Sequence, residues 1–158
     1  MKTTYLSDVY DSFLEGISDY TFIAETEEEV LGVEGILFGY FKKARAKFYK
    51  CKQSLNLFKD DEGLEYFGKE EKDGEIINVE LTDFEIMVLA HLMTVEYMKQ
   101  QVLASEVVKQ NLSDKDFKIY SQANQLRELN LLYRLIQRES NKMITEYSYM
   151  GMTDNGTK

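Results

Sequence analysis

The sequence predicts a mainly α fold: a bundle of long helices with a small β-hairpin or three-strand insertion between the second and third long helices. Three observations predict this class. Proline is absent and only nine of the 158 residues are glycine, so few residues interrupt a helix once it has started. Apolar residues recur at helical spacing over most of the chain, but not over 54–81. The composition, 44% hydrophobic and 30% charged, is typical of a globular protein.

The first two helices are predicted from apolar periodicity and start signals. One helix is expected over about 3–17, where apolar residues share one face. A second starts at Thr26, because Thr26 and Glu29 have the spacing of a capping box. It is expected to run to about Cys51, with the apolar stripe Val30, Val33, Leu37, Phe41, Ala44 and Phe48.

Residues 54–81 have a different pattern from the flanking segments. Short apolar clusters alternate there with acidic, glycine-containing turns, which predicts two or three short strands. Thr82 and Glu85 then repeat the capping-box spacing and begin a third helix, expected to end near Leu103. A short helix capped by Ser105 is expected to follow.

The last helix is predicted to be too long for a small domain. It is expected over about 114–147, roughly 50 Å at 1.5 Å per residue. The helix should therefore either break near Asn130 or project and be covered by a neighbouring copy. One helical domain over 1–148, with the β insertion at about 54–81, and a flexible tail at 149–158 are the expected organisation.

Several classes of protein are not indicated. Cys51 is the one cysteine and no apolar run reaches the roughly 18 residues of a membrane span, so neither an internal disulfide nor membrane insertion is expected. The first residues lack the apolar core of a secretory signal, which favours synthesis in the cytoplasm. His91 has no nucleophile or metal partner at short spacing, so it is interpreted as a core or interface histidine. No catalytic residue, metal or cofactor is expected.

Charge is segregated along the chain. The net charge is −9, and nine acids against one base over 1–40 are followed by seven bases and no acid over 41–59. Residues 60–85 then hold eleven acids and two bases. The basic run consists of Lys42, Lys43, Arg45, Lys47, Lys50 and Lys52. It is interpreted as a solvated helix end, as a nucleic-acid groove, or as a subunit interface that meets the acidic segment 60–85 or 25–34 of an identical neighbour.

Three glycines inside the second helix share one face. Gly32, Gly35 and Gly39 each cost up to about 1 kcal/mol relative to alanine, so a packing gain is expected to offset them. No strand precedes them and no Gly-Lys-Ser/Thr follows, so a phosphate site is not indicated. Close approach of another helix, within the chain or between chains, is predicted.

Two segments carry a family resemblance. They are LTDFEIMVLAHLMTVEYM at 81–98 and LSDKDFKIYSQANQL at 112–126. These segments resemble the neck proteins called head-to-tail connectors, or adaptors, of tailed phages of Gram-positive bacteria. The resemblance covers roughly residues 1–148, is best over 81–148, and rests on general helical patterns.

The resemblance implies a virion structural protein in the neck, between capsid and tail, made in the host cytoplasm. Such proteins form a homo-oligomeric ring, commonly of twelve copies, beneath the portal, and DNA passes through the lumen without sequence-specific binding. The implied partners are the chain itself, the portal protein and the next neck or tail component, and no membrane.

Two sets of contact residues follow from the same resemblance. The portal-docking arm would include Tyr147, Tyr149, Met150 and Met152. The tail-facing loops would include Asp60, Asp61, Glu62, Glu70, Glu71 and Asp73.

A different function remains open on the sequence alone. An acidic phage-encoded interaction module could bind a host DNA-binding protein, with clustered carboxylates in place of phosphates.

Overall fold

The computed structural model describes residues 2–17, 22–111 and 116–153, and the side chains of these residues except 107–111, 116–123 and 151–153. Along these residues the elements are α1 (Leu6–Glu15), α2 (Glu27–Lys47), β1 (Asn56–Lys59), β2 (Glu65–Glu70), β3 (Ile76–Asn78), α3 (Asp83–Asn111) and α4 (Asp116–Thr153). The predicted class, mainly α with a small β insertion between the second and third long helices, is confirmed.

The chain forms two compact units. Unit 1 spans Met1–Met93 and contains α1, α2, the sheet and the first part of α3. Unit 2 spans Thr94–Lys158 and contains the rest of α3 and α4. The expectation of one domain over 1–148 stays a prediction.

The three strands form an antiparallel sheet in the order β1-β2-β3. Its two turns are built alike, with Gly63 and Gly74 at φ of 83° and 84°, a conformation that favours glycine. In the first turn, Asp60 Oδ1 accepts hydrogen bonds from the amides of Glu62 and Leu64, at 3.0 and 2.8 Å. The acidic residues of these segments therefore fold the turns locally.

Residues before α1 pair with the sheet, so α1 begins at Leu6 rather than near residue 3 as expected. The Thr4 amide donates to the Val79 carbonyl at 3.3 Å, and the Thr4 carbonyl accepts from the Phe67 amide at 3.0 Å. The Thr4 hydroxyl accepts from the Leu81 amide at 2.9 Å, and Thr4 is only 5% exposed. One buried threonine thus joins the N-terminal segment to β2 and to the residues that precede α3.

Aromatic side chains connect the elements of unit 1. Phe13 of α1 lies 6.0 Å from Tyr40 of α2, and Phe41 of α2 lies 5.9 Å from Phe67 of β2, measured between ring centroids. Both pairs have the edge-on geometry that aromatic rings prefer. The buried apolar residues of this unit are Leu6, Val9, Phe13, Leu37, Phe41, Ala44, Phe48, Phe67, Val79, Leu81, Val88, Leu89, Ala90, Leu92 and Met93.

Helix α2 starts as predicted but is buried over only part of its predicted stripe. The Thr26 hydroxyl accepts from the Glu29 amide at 3.2 Å, and Glu29 Oε2 accepts from the Thr26 amide at 3.3 Å, which confirms the capping box. Four residues of the predicted stripe are buried, whereas Val30 is 43% exposed. The buried residues are Leu37, Phe41, Ala44 and Phe48. The helix ends at Lys47, earlier than the expected Cys51.

Helix α3 also starts at the predicted capping box. The Thr82 hydroxyl accepts from the Glu85 amide at 3.2 Å, and Glu85 Oε2 accepts from the Thr82 amide at 2.8 Å. The predicted end near Leu103 and the separate helix capped by Ser105 are wrong, because α3 continues to Asn111. No proline or glycine lies between these positions, so the serine is accommodated inside the helix.

Helix α4 does not break at Asn130. The Asn130 side chain donates to the Leu126 carbonyl at 3.0 Å, so this polar residue bonds within the helix instead of ending it. At 38 residues, α4 is about 57 Å long. It continues to Thr153, so residues 149–153 of the expected flexible tail are helical. Residues 154–158 lie outside the described residues, as do residues 112–115, where this helix is predicted to start.

We expect the Thr4 hydroxyl to be required for the stability of unit 1. Thr4→Val keeps the side-chain shape but leaves the Leu81 amide without its acceptor, which should lower the free energy of unfolding by about 1–3 kcal/mol. Thr4→Ser keeps the acceptor and is the matched control. Urea denaturation gives the stabilities, and hydrogen exchange should show a faster Leu81 amide in Thr4→Val only. Equal protection of Leu81 in both variants would contradict this role.

Candidate subunit interface

The predicted interface cations lie on the C-terminal half of α2 and in the turn that follows it. They are Lys42, Lys43, Arg45, Lys47, Lys50 and Lys52. Arg45 is half-buried, and it donates from Nη1 to the Leu55 carbonyl at 3.4 Å and lies 5.7 Å from the centroid of the Phe41 ring. It therefore attaches the segment after α2 to the helix. The other five are exposed, and we call residues 42–52 the basic end.

The basic end also exposes an aromatic ring. Tyr49 is 77% exposed, and the Lys50 ammonium lies 5.9 Å from its ring centroid. The Lys42 ammonium lies 5.4 Å from the Phe38 ring. Cations and aromatic faces thus alternate on this surface, a combination suited to a partner surface that is both acidic and apolar.

The glycines of α2 line an open surface. A Cβ placed on Gly32, Gly35 or Gly39 meets no atom within 4 Å. Close helix approach within the chain, one of the two predicted alternatives, is therefore not found among the described residues. Approach by another chain stays a prediction.

A groove of about 430 Å³ opens in unit 1 between α1, the first half of α2 and the turn that joins β1 to β2. We call it the acidic groove. It is lined by Tyr5, Leu6, Ser7, Tyr10, Leu31, Glu34, Gly35, Phe38, Lys59, Gly63, Leu64 and Glu65. Two rim leucines are largely in solvent, since Leu31 is 69% and Leu64 is 52% exposed.

Carboxylates surround the two tyrosines of the acidic groove. Burial raises the pKa of Tyr10 well above its ordinary value, and the nearby charges of Glu65 and Glu34 raise it further. The pKa of Tyr5 is also raised, by desolvation and then by the charge of Asp60 and a hydrogen bond to it. The charged residues that line the groove are two acids, Glu34 and Glu65, and one base, Lys59.

The acidic groove contains residues from both of the acidic segments that are predicted, as alternatives, to meet the basic run of a neighbour. Glu34 belongs to the segment 25–34 and Glu65 to the segment 60–85, and the charges of both raise the pKa of Tyr10. The tyrosines and the rim leucines of the groove were not predicted as functional. Two features of the sequence could have indicated the leucines. Leu31 lies outside the predicted apolar stripe of α2, and Leu64 is an apolar residue in an acidic turn.

The predicted tail-facing residues lie in two places rather than one. Asp60, Asp61 and Glu62 lie in the turn before β2, whereas Glu70, Glu71 and Asp73 lie at the other end of β2. The six residues of β2 separate these ends by about 20 Å. At the second end, Glu71 forms an exposed ion pair with Lys69 at 3.1 Å.

The predicted portal-docking residues also separate. Tyr147 is buried, at 6% exposure, and its role in docking stays a prediction. Tyr149 and Met150 are 62% and 51% exposed. Met152 lies outside the residues whose side chains are described.

Helix α4 has a second apolar face. Leu131, Leu132 and Leu135 are 57%, 46% and 50% exposed. Eighteen residues make five helical turns, so Tyr149 lies on the same face as Leu131, and Met150 on the same face as Leu132. We call these five residues the outer face of α4. No side chain is buried between 124 and 139.

Other candidate sites have less support. His91 is half-buried on α3. Among the side chains that the structure describes, no group of three or more His, Cys, Asp or Glu is placed to hold a metal ion. Within the described ranges, no helix has the length and apolar character needed to cross a membrane.

Comparison of the chain with models of known protein families, with curated proteins and with solved structures finds no match. The assignment of a function therefore depends on the surfaces described above and on the resemblance of the helical segments.

We expect the stability of the fold to fall above pH 10 because of Tyr10. Its ordinary pKa is 10.0, and in the folded chain it is raised. As the pH rises past 10, the unfolded chain releases this proton while the folded chain keeps it, so folding is disfavoured. Urea denaturation at pH 9 and pH 11 should show a smaller loss for Tyr10→Phe than for the wild type. A loss in Tyr10→Phe equal to that of the wild type would contradict this role of Tyr10.

We expect opposite effects from alanine at two glycines. Gly35→Ala should raise the free energy of unfolding by about 0.5–1 kcal/mol, because the new methyl group has open space and alanine favours the helix. Gly68→Ala should lower it by about 1–3 kcal/mol, because its Cβ would lie 2.7 Å from Cδ2 of Phe58. Thermal denaturation at concentrations where the chain is monomeric tests both. A destabilised Gly35→Ala would show that the chain itself covers this helix face.

Proposed function

We propose that this chain is a virion structural protein, a head-to-tail connector that forms a homo-oligomeric ring beneath the portal of a tailed phage. The outer face of α4 carries the proposal. Residues 124–139 of α4 bury no side chain, and three leucines there are about half exposed. The leucines form a local apolar patch, which the exposed ion pair of Lys142 and Glu146 separates from Tyr149 and Met150 on the same face. An exposed apolar patch on a helix is typical of an interaction site.

The division of α4 into two faces supports a structural role. Ser140 and Tyr147 are buried on one side, at 2% and 6% exposure, while the outer face presents leucines on the opposite side. A helix that is apolar on two sides has more apolar surface than its own unit covers. In the ring, the leucines contact a neighbouring subunit, and Tyr149 and Met150 dock on the portal protein.

The resemblance supplies the particular assembly. The segments 81–98 and 112–126 resemble phage neck adaptors, in which a C-terminal helix or arm typically docks on the portal. The net charge of −9 suits a lumen through which DNA moves without adhering, because like charges repel at short range.

We expect substitution of the outer face of α4 to abolish assembly. Leu131→Lys combined with Leu135→Lys places two ammonium groups in the contact, where burying them is costly. Native mass spectrometry and negative-stain electron microscopy should show rings for the wild type and monomers for this variant, with equal helicity by circular dichroism. Gln137→Lys combined with Asn141→Lys adds the same charge with the same spacing at exposed positions off this face and should still assemble. Rings that persist in the leucine variant would contradict the assigned contact.

The connector role has its own test. Quantitative mass spectrometry of tailed virions from the host that carries this gene should find the chain in stoichiometric amounts, and cryo-electron microscopy should place it below the portal. Its absence from virions would overturn the connector role. A monomer that captures a stoichiometric host DNA-binding protein would favour the interaction module instead.

A further inference from the structure

The acidic groove and the basic end carry opposite charges. Glu34 and Glu65 line the groove and raise the pKa of Tyr10, and the charges of Asp60 and Glu62 raise the pKa of Tyr5. One cation, Lys59, lines the groove. The basic end presents exposed lysines around the exposed Tyr49 ring.

The first part of the basic end adjoins the groove in the same chain, because the Lys42 ammonium lies 5.4 Å from the ring of the lining residue Phe38. The last part does not. Leu31 lines the groove and Lys47 lies in the basic end, and the sixteen positions from one to the other span about 24 Å of continuous helix α2. A chain would have to break α2 to place its own Lys47, Tyr49 or Lys50 beside Leu31. The occupant therefore comes from another molecule.

We propose that the acidic groove of one subunit receives the basic end of the next subunit in a head-to-tail contact. This inference rests on the proposed homo-oligomer and names one of its interfaces. Tyr49 enters between the rim residues Leu31 and Leu64, and Lys47 and Lys50 face Glu34 and Glu65. The open surface at Gly35 lets the neighbour approach the backbone of α2.

A head-to-tail contact has a geometric consequence. Each subunit uses a different surface toward each of its two neighbours, so the contact repeats and closes into a ring when the rotation allows it. A contact of the same surface with itself would stop at a dimer. The number of subunits in the cross-linked products therefore distinguishes the two arrangements.

Charge exchange tests the pairing. The groove variant carries Glu34→Lys and Glu65→Lys, and the basic-end variant carries Lys47→Glu and Lys50→Glu. Each alone should weaken self-association at least about tenfold by sedimentation velocity, because like charges then face each other. An equimolar mixture should recover assembly, since each mutated surface then faces an oppositely charged partner. Glu70→Lys with Asp73→Lys, at the far end of β2, is the matched control and should assemble as the wild type does.

A disulfide trap tests the contact directly. Cys51 lies in the basic end, so Leu64→Cys at the groove rim should give a ladder of dimers, trimers and larger species on mild oxidation. Wild type, and Leu64→Cys with Cys51→Ser, have one cysteine each and should stop at dimers. Circular dichroism verifies that every variant is folded.

The possible results separate this inference from the proposed function. If the wild type forms rings but charge reversal leaves them intact and no ladder appears, the groove contact is wrong and the ring stands. If the groove variant loses a basic partner protein but keeps self-association, the occupant is that partner and the inference is overturned. If the wild type is monomeric at every concentration and Leu64→Cys gives no ladder, both proposals fail.

Discussion

The hydrogen bonds of Thr4 are the constraint on which unit 1 depends. Its amide, carbonyl and hydroxyl each bond to a different partner, Val79, Phe67 and Leu81 respectively. These bonds fix where the N-terminal segment ends and α1 begins. Because α1 starts directly after this point, Tyr5 and Tyr10 are held beside the turn that joins β1 to β2. The acidic groove is a product of this attachment.

Helix α2 distributes burial and charge unequally along its length. Its middle and C-terminal part bury Leu37, Phe41 and Ala44 in the core. Its first turns are exposed and acidic, and its last turn carries Arg45 and Lys47. Carboxylates at the N-terminus and cations at the C-terminus both interact favourably with the helix dipole, so this distribution of charged residues also stabilises the helix. One element thus serves the core in its middle and presents opposite charges at its ends.

Unit 2 follows a different principle. Helix α4 accommodates polar residues because their side chains bond to the preceding turn: the hydroxyls of Ser140, Thr145 and Ser148 donate to the carbonyls of Ile136, Asn141 and Ile144 at 2.9 Å. Its length comes from the absence of strong breakers rather than from a covering core. A long helix with exposed leucines is suited to contacts between molecules, whereas unit 1 buries Phe13, Phe41, Phe48 and Phe67 in its core.

The sequence by itself determined the class of fold, the order of the elements and the two capping boxes at Thr26 and Thr82, because helix periodicity and capping depend on residues a few positions apart. It did not determine the ends of α3 and α4, since a serine or asparagine can either end a helix or bond within it. The tertiary structure alone decided which apolar residues are covered. Val30 and Leu31 lie on a helix whose later residues form the core, yet they are 43% and 69% exposed. The same packing places Glu34 and Glu65, which are thirty-one positions apart in the sequence, near Tyr10. A pattern of residues a few positions apart cannot predict a contact at this separation.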